Sequence, residues 1–272
     1  MVETFLTADD GRKIYSRASQ SDAYKSTVLL VHGLSEHCRR YDHFVEYLSH
    51  RDIGVVTFDL HGHGRSDGDR GYLPNANTLI GDIETVCRHY SLGSDTFLMG
   101  HSLGGLIAVH HCIVHTQRKW RGLITTGAAL EVDKDLSPIL QFLAPLLGAL
   151  FPKLKTTPLD ITYLTRSEIV RNAYMTDPLV YRDGMRARTG ALSLRLIKQM
   201  RQRFDEVRLP MLVMHGGADR LTMPEGTQLF YDRSSSQDKS IEIWEGLFHE
   251  LINEPEQESV MDKIATWITS RS

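Results

Sequence analysis

Asp95-Thr-Phe-Leu-Met-Gly100-His101-Ser102-Leu103-Gly104-Gly105 decides how this chain of 272 residues is read. Asp95–Gly100 is short and mostly apolar, as a buried strand is, and the residues from Leu103 to Gln117 suit a helix. Between them, Gly100-His101-Ser102-Leu103-Gly104 matches G-x-S-x-G. Alone, that pattern also occurs by chance in unrelated chains. With a strand running in and a helix running out, it fits a nucleophile elbow. The flanking glycines let the chain turn sharply without side-chain collisions. The turn lifts the Ser102 hydroxyl above a sheet, near the positive end of the helix that follows. The competing reading is a small-residue turn around a structural serine.

Outward from the elbow, Thr27–His32, Ile53–Leu60, Gly122–Thr126 and Met211–His215 are further apolar runs, and Ser240–Trp244 reads as a last strand. Unbroken rather than alternating runs predict strands covered on both faces. Tyr41–Arg51, Ala76–Ser91, Pro224–Arg233 and a stretch near Pro255–Ser270 read as helices. The alternation predicts an α/β protein with a mostly parallel sheet between helices, and the first two dozen residues add a short hairpin. From Glu131 to about Arg208 the rhythm stops. No strand pattern appears there, so 131–208 is expected to be a helical cap inserted into a core of 1–130 and 209–272. Within it, Leu136–Phe151 is apolar apart from Ser137 and Gln141. It falls short of the roughly 20 residues a membrane span needs, and Pro145 and Gly148 interrupt it. It reads either as a buried cap helix or as an apolar lid that lines an entrance or docks on lipid.

Composition removes other classes. Hydrophobic residues make up 41%, enough for a large core, so a disordered chain is excluded. A net charge of −3 gives no electrostatic footprint for nucleic acid. Cys38, Cys87 and Cys112 are scattered and odd in number, which argues for a reducing compartment rather than a disulfide framework. The first residues contain no apolar signal-peptide core, so a cytoplasmic location is expected.

A serine hydroxyl needs a base, and the base needs an orienting carboxylate. Downstream of Ser102, Asp219 in His-Gly-Gly-Ala-Asp-Arg follows one strand and His249 in Gly-Leu-Phe-His-Glu follows the last. Both fall at strand C-terminal ends, where open α/β sheets place their sites, and in the chain order serine, acid, histidine. Two backbone N–H groups must meet the oxyanion. Leu103, after the nucleophile, supplies one; Leu34, in the loop His32-Gly33-Leu34, supplies the other. His61 and His63 form an H-x-H, but no carboxylate at ligand spacing accompanies them, so no metal site is expected. His110 and His111 lie inside the helix after the elbow and read as packed or surface residues.

Taken together, VHGLSEHCRRY (31–41), FDLHGHGRSDGDRG (58–71), GHSLGG (100–105), DPLVYRDG (177–184), HGGADRL (215–221) and GLFHELINEPE (246–256) resemble the α/β-hydrolase superfamily. In particular they resemble its monoacylglycerol lipase and lysophospholipase branch, of the serine aminopeptidase S33 type. The resemblance spans nearly the whole chain. It implies an eight-stranded sheet, a Ser102–His249–Asp219 triad with oxyanion donors at Leu34 and Leu103, no cofactor, and a mobile apolar cap over an acyl tunnel. Where the family often reads H-G-x-G-E-H, this chain has Ser35 in place of the second glycine. Glu36 and Arg40 match positions near the polar end of the family's pocket, as head-group contacts or as a structural salt link. Ile139, Leu143 and Leu147 are the expected acyl-chain lining. The expected substrate is a single-chain lipid ester, most of all a monoacylglycerol, with transient membrane contact through the cap. The alternatives are a lysophospholipase, or a short-chain carboxylesterase or aminopeptidase on the same scaffold. No lipidation motif supports a stable anchor.

Overall fold

The apolar runs become parallel strands because they can bury both faces under helices, and Ser240–Trp244 joins them as the edge strand of the sheet. The computed structural model describes residues 1–19, 24–132, 134, 136–156 and 158–272. An antiparallel hairpin, β1 (Val2–Thr7) and β2 (Lys13–Ala18), forms one edge of the sheet. The parallel strands are β3 (Ser26–Val31), β4 (Ile53–Phe58), β5 (Thr96–His101), β6 (Gly122–Thr126), β7 (Met211–Gly216) and β8 (Lys239–Trp244). The eight strands lie in the order β1-β2-β4-β3-β5-β6-β7-β8. β4, β5, β6 and β7 are buried along their whole length, whereas the edge strands β1 and β8 are partly exposed. Val31 of β3 pairs with Gly100 of β5. The chain leaves β3 towards β4 on one side and returns to β5 on the other. The loops after β3 and β5 therefore diverge, and a crevice opens between them.

Helix α1 (Asp42–Ser49) and helix α8 (Gln257–Thr269) cover one face of the sheet through Phe44, Leu48, Val260 and Ile264. On the other face lie α2 (Ala76–His89), α3 (Leu103–Val114) and α7 (Pro224–Arg233), with Ile83, Leu106 and Phe230 in the core. Each such side chain contributes about 1.5–3 kcal/mol by leaving water.

Between β6 and β7 the chain forms α4 (Pro138–Leu150), α5 (Glu168–Thr176) and α6 (Ala187–Arg201), with one isolated bridge, Lys155 to Arg186, among the described residues. α4 leans on α6, and α6 on α3. The buried reading of the Leu136–Phe151 run is overturned. Only the small residues Ala144 and Gly148 of α4 are buried, while Ile139 is 71% and Phe142 83% exposed. The reason is close approach. A Cβ at Gly148 would sit 2.7 Å from Ala191 Cβ, so α4 packs through a seam of small residues and its large side chains face outward. No helix among the described residues is long and apolar enough to cross a membrane.

Candidate active site

Ser102 follows β5 and precedes α3 with φ 54 and ψ −119, a backbone that L-residues rarely adopt. The elbow is held because its N–H donates to Thr126 O on β6 (3.0 Å). Glycine is needed on either side for space. A Cβ on Gly100 would lie 2.3 Å from Gly104 O, and one on Gly104 would lie 2.2 Å from Val31 O. The Ser102 side chain does not cap α3, so its hydroxyl is left facing the crevice.

Leu103, the first residue of α3, has no backbone carbonyl one turn earlier to receive its N–H. Across the crevice, Gly33 N–H donates to Glu36 Oε1 (2.6 Å), which folds the loop after β3 back on itself. Leu34 sits inside that fold, and among the described residues its N–H makes no hydrogen bond. Ser35 takes φ 67, so this loop adopts the left-handed turn with serine where the family often has glycine. That geometry costs a non-glycine residue about 1–2 kcal/mol. His32 braces the loop from below: Leu60 N–H donates to its Nε2 (2.9 Å), and its Nδ1 lies 2.7 Å from Gly33 O.

Asp219 follows β7 and His249 follows β8, and their side chains meet: His249 Nδ1 is 2.7 Å from Asp219 Oδ2. The carboxylate is fixed by Leu221 N–H (2.8 Å) and Thr222 N–H (3.1 Å) on Oδ1 and by the Thr222 hydroxyl (2.9 Å) on Oδ2. Burial pushes the Asp219 pKa up, but the neighbouring His249 and His215 outweigh it and hold the group well below the carboxylate range. For His249, burial favours the neutral ring; the charge of Asp219 and its hydrogen bond prevail and raise the pKa above 6.5. The His249 ring lies against His101, with centroids 4.7 Å apart.

Leu34, Ser102, Leu103 and His249 form one side of a cavity of about 410 Å³. Its apolar wall comes from the segment between α4 and α6: Leu159, Ile161, Leu164, Met175, Tyr181 and Met185. Ile139, Leu143 and Leu147 do not line it, which corrects the sequence expectation. They sit on α4, whose buried side is turned to α6 and whose remaining surface faces solvent. The true wall residues carry no helical or strand periodicity to single them out; only their nearness to DPLVYRDG could have pointed there.

Glu36 and Arg40 are brought together as a salt link. Arg40 Nη1 donates to Glu36 Oε2 (2.9 Å), and its guanidinium grips both oxygens of Glu250, with Nη2 to Oε2 at 2.8 Å. Tyr41 hydroxyl also donates to Glu36 Oε1 (2.8 Å). Glu36 borders the cavity, yet its oxygens are already engaged, so the structural alternative accounts for the pair. Sequence reasoning misses Glu250; it stands next to His249, but its partner is 210 positions away.

Glu84, His111 and His115 bring three ligand-type atoms together at the α2–α3 face. They do not suit a metal. Trp120 Nε1–H donates to His111 Nδ1 (3.2 Å), which leaves the proton on Nε2, where it meets Glu84 Oε1 (2.8 Å). Arg118 takes both oxygens of the same carboxylate at 2.7 Å.

A family model described as "serine aminopeptidase, S33" matches residues 22–256. The monoacylglycerol lipase of Mycolicibacterium smegmatis is 32% identical over 249 residues, covering 90% of this chain and 89% of that protein. The monoglyceride lipase of Rattus norvegicus is 30% identical over 274 residues, covering 98% and 90%. The crystal structure of Paleococcus ferrophilus monoacylglycerol lipase superposes with a TM-score of 0.88 at 30% identity, over 95% of this chain and 99% of that one.

Proposed function

The chain belongs to the serine aminopeptidase S33 family, with the α/β-hydrolase fold, and from that membership we propose that it hydrolyses single-chain lipid esters, monoacylglycerol above all, through Ser102, His249 and Asp219. His249 Nε2 takes the proton of the Ser102 hydroxyl as Oγ attacks the ester carbonyl. The oxyanion is met by the N–H groups of Leu34 and Leu103, each such donor being worth about 3–4 kcal/mol. Collapse expels glycerol, which leaves with the proton from His249, and an acyl-Ser102 ester remains. Water then gives a proton to His249 and attacks the acyl carbon, and the fatty acid departs as Ser102 regains its hydrogen. Asp219 holds the ring in one tautomer and steadies the imidazolium in both steps. Every step is assigned to a group already in the chain.

One observation carries this reading. The strained Ser102, His249 with its partner Asp219, and the backbone of Leu34 and Leu103 border one largely apolar cavity. A cavity walled by Leu, Ile and Met suits an acyl chain, at about 0.8 kcal/mol for each buried CH₂. The outward apolar face of α4 suits brief contact with the lipid surface from which such a substrate comes.

The test is hydrolysis of monoacylglycerols, lysophospholipids, short p-nitrophenyl esters and aminoacyl anilides, with Ser102→Ala as reference. Long-chain monoacylglycerol should turn over best, and Ser102→Ala should be inactive. Full activity of Ser102→Ala, or turnover of aminoacyl anilides alone, overturns the proposal.

A further inference from the structure

Asp219 is touched by two histidines, and the reaction uses one of them. His215, the penultimate residue of β7, is fully buried, and its Nε2 lies 3.0 Å from Asp219 Oδ2, the oxygen that also meets His249. The chemistry around the ring fixes its tautomer. Nε2 faces three oxygens: the Asp219 carboxylate, Thr222 O at 3.3 Å and the Thr222 hydroxyl at 3.2 Å, whose own proton goes to Asp219 Oδ2, so the ring nitrogen must carry the proton. Nδ1 is then the acceptor, and Thr227 Oγ1, 2.7 Å away and fully buried in the first turns of α7, donates to it. A chain of donors runs from the Thr227 hydroxyl through His215 into Asp219.

We propose that His215 is a positioning residue for the acid of the triad: its Nε2–H holds Asp219 Oδ2, the oxygen that also meets His249, and Thr227 sets the tautomer that makes this possible. The inference rests on the Ser102–His249–Asp219 reading and adds to it. A carboxylate held by one histidine alone can swing about its own Cβ–Cγ bond. Here the Leu221 and Thr222 N–H groups hold one oxygen, and the Thr222 hydroxyl and His215 hold the other. The direction presented to His249 is thereby fixed before any substrate arrives. The added donor also moderates the carboxylate. Without it, Asp219 concentrates its charge on the His249 N–H and makes the imidazolium harder to deprotonate. The ionisable groups facing His215 are Asp219, His249 beyond the shared oxygen, and Glu225 on α7, which senses it through space.

The experiment measures kcat, KM and the pH profile of kcat/KM on a p-nitrophenyl acyl ester. It compares His215→Leu, His215→Gln and Thr227→Val, with Asp219→Asn as reference. His215→Leu should lower kcat roughly 10- to 100-fold with KM changed less than about twofold, the scale seen when an outer partner of a reactive ligand is lost. His249 must be neutral to act, so a higher His249 pKa moves the acidic limb of the profile to higher pH in this variant. The Gln amide N–H should restore both kcat and the limb, and Thr227→Val should fall between. Wild-type kinetics in His215→Leu overturn the inference. So does a Gln variant no better than Leu with the acidic limb unmoved, since that pattern marks packing alone. If His215→Leu does not fold, a folded Thr227→Val with wild-type kcat and profile overturns it equally. The triad reading fails separately, if Asp219→Asn keeps wild-type kcat.

Discussion

Arg40→Met is the substitution whose cost can be worked through from the structure. Arg40 is 8% exposed and Glu36 and Glu250 are 4% and 3% exposed, so the group carries one cation and two anions with almost no water. Methionine keeps most of the stem under the Tyr174 ring, which lies 4.9 Å from the guanidinium carbon. What is lost is charge: the buried set goes from −1 to −2. The cheapest repair is one proton on a carboxyl whose ordinary pKa is 4.5. At pH 7 that proton costs about 3 kcal/mol, and the cost falls by about 1.4 kcal/mol for each pH unit below. The figure agrees with the roughly 3–5 kcal/mol found when a buried pair loses one partner. The sign is consistent in the wild-type protein. Burial alone would raise the Glu36 pKa, but Arg40 and its other partners lower it to about 2. Its stabilisation is therefore complete above pH 4.5 and lost as pH falls towards 2. Urea titrations of both proteins at pH 7 and pH 6 should show a gap of about 3 and then about 2 kcal/mol. A gap below about 1 kcal/mol, or one that does not change with pH, refutes the reasoning.

The site and the cap give further expectations. Asp219→Asn should leave the fold intact by circular dichroism yet lower kcat by about 10⁴-fold, because the wrong tautomer of His249 is then favoured. The kcat/KM profile of the wild-type protein should rise through an apparent pKa above 6.5, as the raised His249 pKa requires; a limb below about 6 contradicts it. Gly104→Ala should cost more than about 3 kcal/mol in chemical denaturation, since the new Cβ would sit 2.2 Å from Val31 O and neither α3 nor β3 can retreat from the core. Phe142→Glu with Ile139→Glu should change stability by less than about 0.5 kcal/mol for each exposed site, yet reduce co-sedimentation with phosphatidylcholine vesicles. Undiminished vesicle binding removes α4 from that role.

β5 and β7 are legible in the sequence as apolar runs with a polar loop at the end, and β8 as a short β-branched segment before the last helix. Ser102, Asp219 and His249 stand at three such ends, so their approach follows from topology alone. Leu34 and Leu103 are legible for the same reason, as backbone positions tied to β3 and β5. The lining of the cavity is not. The longest apolar run of the insertion suggests a wall, but backbone approach at Gly148 decides which way α4 turns. No pattern in Leu136–Phe151 reports the size of a residue on α6. The Arg40–Glu250 grip and the His215–Asp219 contact are hidden differently. The grip joins residues 210 positions apart. His215 has the pattern of an ordinary strand terminus, and only the folded chain brings its ring nitrogen beside the carboxylate.

The place of the three cap helices in the sheet also gives the protein a chronology. β6 and β7 are neighbours, with Leu123 opposite Met211, but the ribosome must deliver about 80 residues between them. By the time β6 is made, β3 and β5 are both present, and with them Ser102 and the N–H groups of Leu34 and Leu103. The acid and the base arrive only after the insertion has been synthesised. A nascent chain can thus hold the half of the site that receives a carbonyl while it lacks the half that moves protons. On the mechanism proposed above, the serine then has no base to activate it, and a chain arrested inside the insertion would be born inert.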